Sequence, residues 1–208
     1  MPFGASRAGL MSTRVDAIPD SVVLLPQADD LEHFTGETDA FDINDSDGII
    51  TEFNELSLEI NGAEGDQIES VSGLNKYPQQ GDTFSWFIQL PSGEGRQIIE
   101  VLFGLQDNSN WYAGQLDSDG FIRLRKDGST ESSSDSSVPL DEWLEFEIEW
   151  ANDGEITGSL FSLDSTDRDT ELASASFNDT DYESGGIGVN LGRDADGSRI
   201  DFIDVLSD

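Results

Sequence analysis

At 208 residues and 22.7 kDa the chain has the size of one β-sandwich domain with an appendage. Asp and Glu number 44 against 10 Lys and Arg, a net charge of −34 and a pI near 4.1, so the chain is ill suited to nucleic acid or an anionic membrane, having nothing to neutralise a row of phosphates. There is no cysteine, which excludes disulfides, thiolate metal sites and cysteine nucleophiles, and no stretch approaches the ~20 apolar residues of a membrane span.

Such a charge balance is typical of disordered chains, but twelve Phe and four Trp sit between the acids at strand spacing, enough to bury a core under an acidic surface. Only two of the ten basic residues are lysine, Lys76 and Lys126. The acids are spread over the whole chain and not gathered in one place, a pattern expected of a domain adapted to high salt.

Residues 1–20 stand apart: Arg7 and Arg14 balance Asp16 and Asp20, small residues dominate, and no period is visible. A nearly neutral arm on a polyanionic body is expected to dock, the alternative being a frayed terminus. Ser21 to Leu25 reads as a short strand stopped by Pro26. The division is therefore an arm over 1–26 and a sandwich over 27–208.

Strands are then predicted at 40–43, 56–60, 67–71, 83–90, 98–106, 111–117, 121–126, 143–150, 155–162, 170–177, 185–191 and 199–205, separated by Gly and Asp turns such as Asp117 to Gly120, Lys126 to Gly128, Asn152 to Gly154 and Asp194 to Gly197. Trp143 to Trp150 alternates without a break: Leu144, Phe146, Ile148 and Trp150 on one side, Glu145, Glu147 and Glu149 on the other. One face is thus expected on a core and one in water. Ser129 to Ser137, STESSSDSS, is expected to be a mobile loop because it has nothing to bury. Many short strands with frequent turns predict an all-β, antiparallel sandwich.

Ala28 to Ile43, Gly73 to Ile88, Leu102 to Leu124, Trp143 to Trp150, Thr170 to Ser176, Tyr182 to Val189 and Ile200 to Val205 together resemble a laminin-G/concanavalin A-like jelly-roll domain of haloarchaeal type. The arm, PFGASRAGLMSTRVDAIPDS, resembles the leading segment of structural proteins of haloarchaeal tailed viruses. The resemblance implies a non-enzymatic virion component on the particle exterior, a turret, spike, decoration or fibre. Residues 1–26 would bind other virion proteins in a homo-oligomer, and the sandwich would meet host surface glycans or an S-layer. The rival expectations are a carbohydrate-binding module of a halophile's surface protein and, further off, a concanavalin A-like glycosidase.

No cofactor is required by this reading, though a structural Ca²⁺ has candidate ligands. In the resembled fold the first and last strands are neighbours, which would bring Asp29, Asp30 and Glu32 to Asp201 and Asp204, hard oxygens of the kind the ion takes. The candidate glycan site is Trp111 and Tyr112 with Asn108 and Asn110, aromatic faces beside amides, against the alternative that both rings are core. Glu145 and Glu149 stand ~13 Å apart on a flat strand, beyond the ~5.5 Å of a retaining glycosidase pair unless a bulge bends it. His33, the sole histidine, has no partner for a metal cluster or a triad.

Overall fold

The computed structural model describes residues 34–36, 38, 41–45, 56–70, 78–93, 95–135, 138–164 and 167–207. Among these, short runs with period-two alternation pair into two seven-stranded antiparallel sheets. The first is ordered β1 (Phe34–Gly36), β4 (Gln67–Ser70), β13 (Gly186–Leu191), β6 (Ile98–Asp107), β7 (Asn110–Asp117), β8 (Phe121–Lys126), β9 (Ser129–Asp135). The second is ordered β12 (Asp167–Asn178), β11 (Glu155–Asp164), β10 (Trp143–Trp150), β5 (Asp82–Gln89), β14 (Arg199–Ser207), β3 (Leu56–Ile60), β2 (Phe41–Asp45). The chain crosses repeatedly between the sheets, which makes the domain a concanavalin A-like jelly-roll sandwich, the predicted fold.

β10 behaves as its alternation requires. Leu144, Phe146, Ile148 and Trp150 are fully buried, and Glu149 is exposed on the opposite face. Residues from both sheets interdigitate in one core. Rings dominate it: Phe84 lies 5.1 Å from Trp86 and 5.3 Å from Phe103, and Phe103, Tyr112 and Trp150 form a triangle with 5.6 Å sides. Phe146 reaches across the sandwich to the backbone of β7, where a side chain at Gly114 would occupy the space of its ring.

Three expectations are corrected. Ser129 to Asp135 forms the edge strand β9 and is not a loop. The turn decides this, because Asp127 (φ 48°) and Gly128 (φ 82°) both take the left-handed conformation that a two-residue hairpin turn needs, and Lys126 pairs with Ser129. Polar side chains suit an edge, where they discourage further pairing. β1, absent from the sequence reading, pairs with β4 in the first sheet. The last strand, β14, lies in the second sheet between β5 and β3, so the first and last described strands are not neighbours. The predicted strand at Ser21 to Leu25 and the arm lie outside the described residues.

The Gly114 and Phe146 contact yields a direct test of the packing. Gly114→Ala should lower the unfolding free energy by about 1–3 kcal/mol through overpacking, and Phe146→Ala by about 3–5 kcal/mol through the cavity it leaves. In the double variant the new methyl occupies part of that cavity, so denaturant titration should give a loss smaller than the two combined; simple additivity would contradict the contact.

Candidate functional site

The outward face of a sandwich strand ordinarily meets water, yet on the first sheet it carries buried polar groups. Register places Gln67 beside Asn190, Asn190 beside Glu100, Glu100 beside Gln115, Gln115 beside Arg123 and Arg123 beside Ser133. One polar row therefore crosses β4, β13, β6, β7, β8 and β9, its members ~4.8 Å apart. Within it Glu100 is 3% exposed and Gln115 5%.

The row is joined by hydrogen bonds. Asn190 Nδ2 donates to Glu100 Oε2 at 2.6 Å, and Arg125, one residue pair along β8, forms an ion pair with Glu100. With its amide oriented to suit its neighbours, Gln115 donates to Glu100 Oε1 at 3.3 Å and accepts from Arg123 Nη1 at 2.6 Å. At the end of β7 the fully buried carboxylate of Asp117 accepts from Arg96 Nε at 2.9 Å and Arg123 Nη1 at 2.6 Å. Burial alone would raise the pKa of Asp117, but the two guanidiniums and the amide of Asp119 outweigh it and hold the group below the ordinary carboxylate range. Burial lowers the pKa of Arg125.

Above the row lies a cleft of about 430 Å³ lined by Arg96, Glu100, Gln115, Arg125, Asn190 and Arg193, with the backbone of the Gly65 and Gly192 turns at its side. Carboxylate, amide and guanidinium groups fixed at strand spacing present donors and acceptors in a rigid plane, the arrangement that reads neighbouring hydroxyl groups. The ionised Asp117 has no proton to give a leaving group near neutral pH.

The residues expected to bind glycan lie elsewhere. Tyr112 is fully buried and leaves no ring face for a sugar; its hydroxyl donates to Asp179, and its ring packs on Trp150 and Tyr182. Trp111 is 7% exposed and forms an apolar patch with Leu102, Leu105 and Ala113. Asn108 is exposed in the β6–β7 turn, and Asn110 donates to Asp107 Oδ1 at 2.7 Å. Around them Lys126 binds Asp179 and Asp181; burial opposes its charge, but these hydrogen bonds prevail and raise its pKa. Tyr182, its pKa pushed up to about 12 by burial and by the Asp127 carboxylate, donates to that residue at 2.9 Å. The result is a brace tying the segment before β13 to the β7–β8 hairpin.

Asp29, Asp30, Glu32 and His33 lie outside the described residues, as do the side chains of Asp201 and Asp204, and among the described residues no group of three or more His, Asp or Glu is placed to hold a metal ion. Glu145, Glu147 and Glu149 pair with β5 and β11 without any register shift, so no bulge draws Glu145 and Glu149 together.

The residues of the row and cleft left two traces in the sequence. Arg123 and Arg125 stand two apart in FIRLRK, hence on one face of a strand, in a chain with only ten basic residues, and Glu100 interrupts the apolar run IIEVLF.

Asp117→Asn removes the charge shared by Arg96 and Arg123 and should cost about 2–3 kcal/mol in denaturant titrations, the scale of a hydrogen bond to a charged group. Because the folded pKa is depressed, this stabilisation is complete above the unfolded value near ~3.9 and is lost as pH falls through the folded value. The gap between parent and variant should be constant above about pH 5 and close below about pH 4; a gap that persists unchanged in acid would contradict the pairing.

No protein-family model matches the chain, and no curated protein does. Solved structures do. The carbohydrate-binding module CBM66 from Bacillus subtilis superposes with a TM-score of 0.55 at 16% identity, covering 84% of this chain and 96% of that one. The exoplasmic/lumenal domain of VIP36, in its Ca²⁺/Man3GlcNAc-bound form, gives 0.55 at 9% identity over 84% and 82%, and the legume lectin-like domain from Entamoeba histolytica gives 0.53 at 12% over 82% and 91%. At these identities the likeness is one of fold, and the fold of this chain is the concanavalin A and legume-lectin type of β-sandwich.

Proposed function

We propose that the protein binds carbohydrate through the cleft on the outer face of its first sheet. The observation that carries this reading is the connected row Asn190, Glu100, Gln115 and Arg123, with Arg125 on Glu100, held by rigid strands under an open cleft. A saccharide needs such fixed, alternating donors and acceptors more than it needs charge. Two of the solved structures of this fold are named for carbohydrate, one as a binding module and one as a Man3GlcNAc complex, which supports the choice of ligand class. The polar row at its floor sits on strands, with Arg96, Arg193 and the Gly65 and Gly192 turns at its rim, so the geometry of the row is set before ligand arrives.

Residues 1–26 keep a second reading in play, that of a virion structural protein anchored by this segment. Its support is the sequence of the segment, nearly neutral on a chain of charge −34. A sandwich displayed in this way would present the same cleft to surface glycans of a host. A structural Ca²⁺ on Asp29, Asp30, Glu32, Asp201 and Asp204 is supported by carboxylate supply and by the Ca²⁺-bound state of one solved structure of this fold; a melting temperature unmoved by chelation would remove it.

On a glycan array the full chain should bind a restricted set of structures, and calorimetry with the best of them, at a temperature where the variant's melting curve shows it folded, should show at least a tenfold loss of affinity on Asn190→Ala. An empty array, or full affinity in that variant, would overturn the cleft as a binding site. Light scattering of the full chain beside one lacking residues 1–26 should show an oligomer falling to monomer if the segment is an anchor; equal masses would contradict the anchoring role.

A further inference from the structure

The charges of this chain are unevenly placed with respect to the cleft. Three of its ten basic residues, Arg96, Arg125 and Arg193, line the cleft against two lining acids, Glu64 and Glu100. The lining is thus net positive by one charge, on a chain that carries −34 in all. The acids paired with these arginines hold them in place without hiding them. Glu100 and Asp117 are buried, and the side chains of Arg96 and Arg193, 33% and 60% exposed, are reachable from solvent beside the exposed carboxylates of Asp119 and Asp194.

Donors remain open after the internal pairing. Arg96 spends its Nε and Nη2 on Asp117, with Asp119 also 3.1 Å from Nε, which leaves Nη1 for a ligand out of the five N–H donors of a guanidinium. Arg193 sits 3.5 Å from Asp194 at the rim. A planar guanidinium fork matches a planar carboxylate with two parallel hydrogen bonds. Beside the forks, Glu100 can only accept hydrogen bonds while ionised, so it suits a ligand with hydroxyl donors and discriminates against a bare inorganic anion. One ligand chemistry satisfies both halves of the cleft: hydroxyl groups on one part and a carboxylate on another.

Resting on the reading of the cleft as a glycan site, we propose that its ligand is an acidic oligosaccharide of uronate units, its carboxylate held by Arg96, Arg125 and Arg193 and its hydroxyl groups by Asn190, Gln115 and Glu100. The rest of the surface repels polyanions, but that repulsion acts over a screening length that falls from ~10 Å at 0.1 M salt to ~3 Å at 1 M. Contacts inside the cleft are shorter than this and outlast it. The ligand is therefore best met as a short oligomer, or in salt.

The test is calorimetry of the full chain in molar sodium chloride with three probes: trigalacturonate, its neutral methyl ester, and a sulfated trisaccharide. Trigalacturonate should bind at least tenfold tighter than the ester, and Arg193→Gln and Arg125→Gln should each lower that affinity at least fivefold. Arg193 is largely exposed, so its variant keeps the fold, and the melting temperature verifies this. Equal or tighter binding of the ester would overturn the acidic ligand and leave the glycan site standing. Preference for the sulfated probe would overturn selection by carboxylate. Binding of none of the three would overturn the uronate proposal, while the glycan reading itself falls only if the broad array is also empty.

Discussion

The aromatic bridge between the two sheets is the constraint on which the other features depend. Phe84, Trp86 and Trp150 enter from the second sheet, Phe103 and Tyr112 from the first, and their rings meet edge to face or tilted at 5.1 to 5.6 Å. Each such pair contributes about 0.5–1.5 kcal/mol beyond the area it buries, and the cluster sets the spacing of the sheets. Phe146 locks the register by filling the space above Gly114, since a glycine in β7 is what allows a ring from the opposite sheet to reach the backbone. With one side of β6 and β7 pinned in this way, the backbone beneath groups on the other side has little freedom.

That rigidity makes buried charge on an outer face tolerable. A carboxylate taken from water is strongly unfavourable unless it is paired and its oxygens are satisfied. Asp117 meets the condition with two guanidiniums and a backbone amide, Glu100 with one guanidinium and two amides. The result is a surface whose charged groups are oriented before any ligand arrives, which lowers the ordering cost of binding. The same network explains why four arginines converge in a chain that has so few: Arg96, Arg123 and Arg125 are held by buried acids, and Arg193 stands at the rim.

The fold was legible because burial writes itself into period-two alternation. β10 and β8 have the residue bounds that the pattern predicts, and the double-sided apolar run around Trp86 marks a strand whose outer face is also covered, with Phe87 buried beside the core. β9 was obscured because composition and turn chemistry disagreed: a serine-rich run reads as a loop, while the Asp127–Gly128 turn folds it back onto β8. The cleft was harder to see. The residues of its floor come from β13, β6, β7 and β8, up to ninety positions apart in the chain, only sheet order brings them into a row, and Arg96 and Arg193 join them from the adjoining loops. Aromatic residues drew attention instead to Trp111 and Tyr112, which the packing turned into a patch and a core ring. Among 44 acids, Glu100 was marked only by its place inside the apolar run IIEVLF, and Asp117 had no mark to set it apart until burial did so.

The binding surface proposed for this protein is the outer face of the first sheet. It is tested by nuclear magnetic resonance of the full chain, following the backbone amide, arginine Nε–H and Asn and Gln side-chain amide signals as an oligosaccharide that binds is added. Shifts are expected at Arg96, Arg125, Arg193, Gln115 and Asn190, with β10 and the outer face of the second sheet unmoved. Shifts gathered on Glu145, Glu147 and Glu149, or around Asn108 and Asn110, with the cleft signals still, would contradict it.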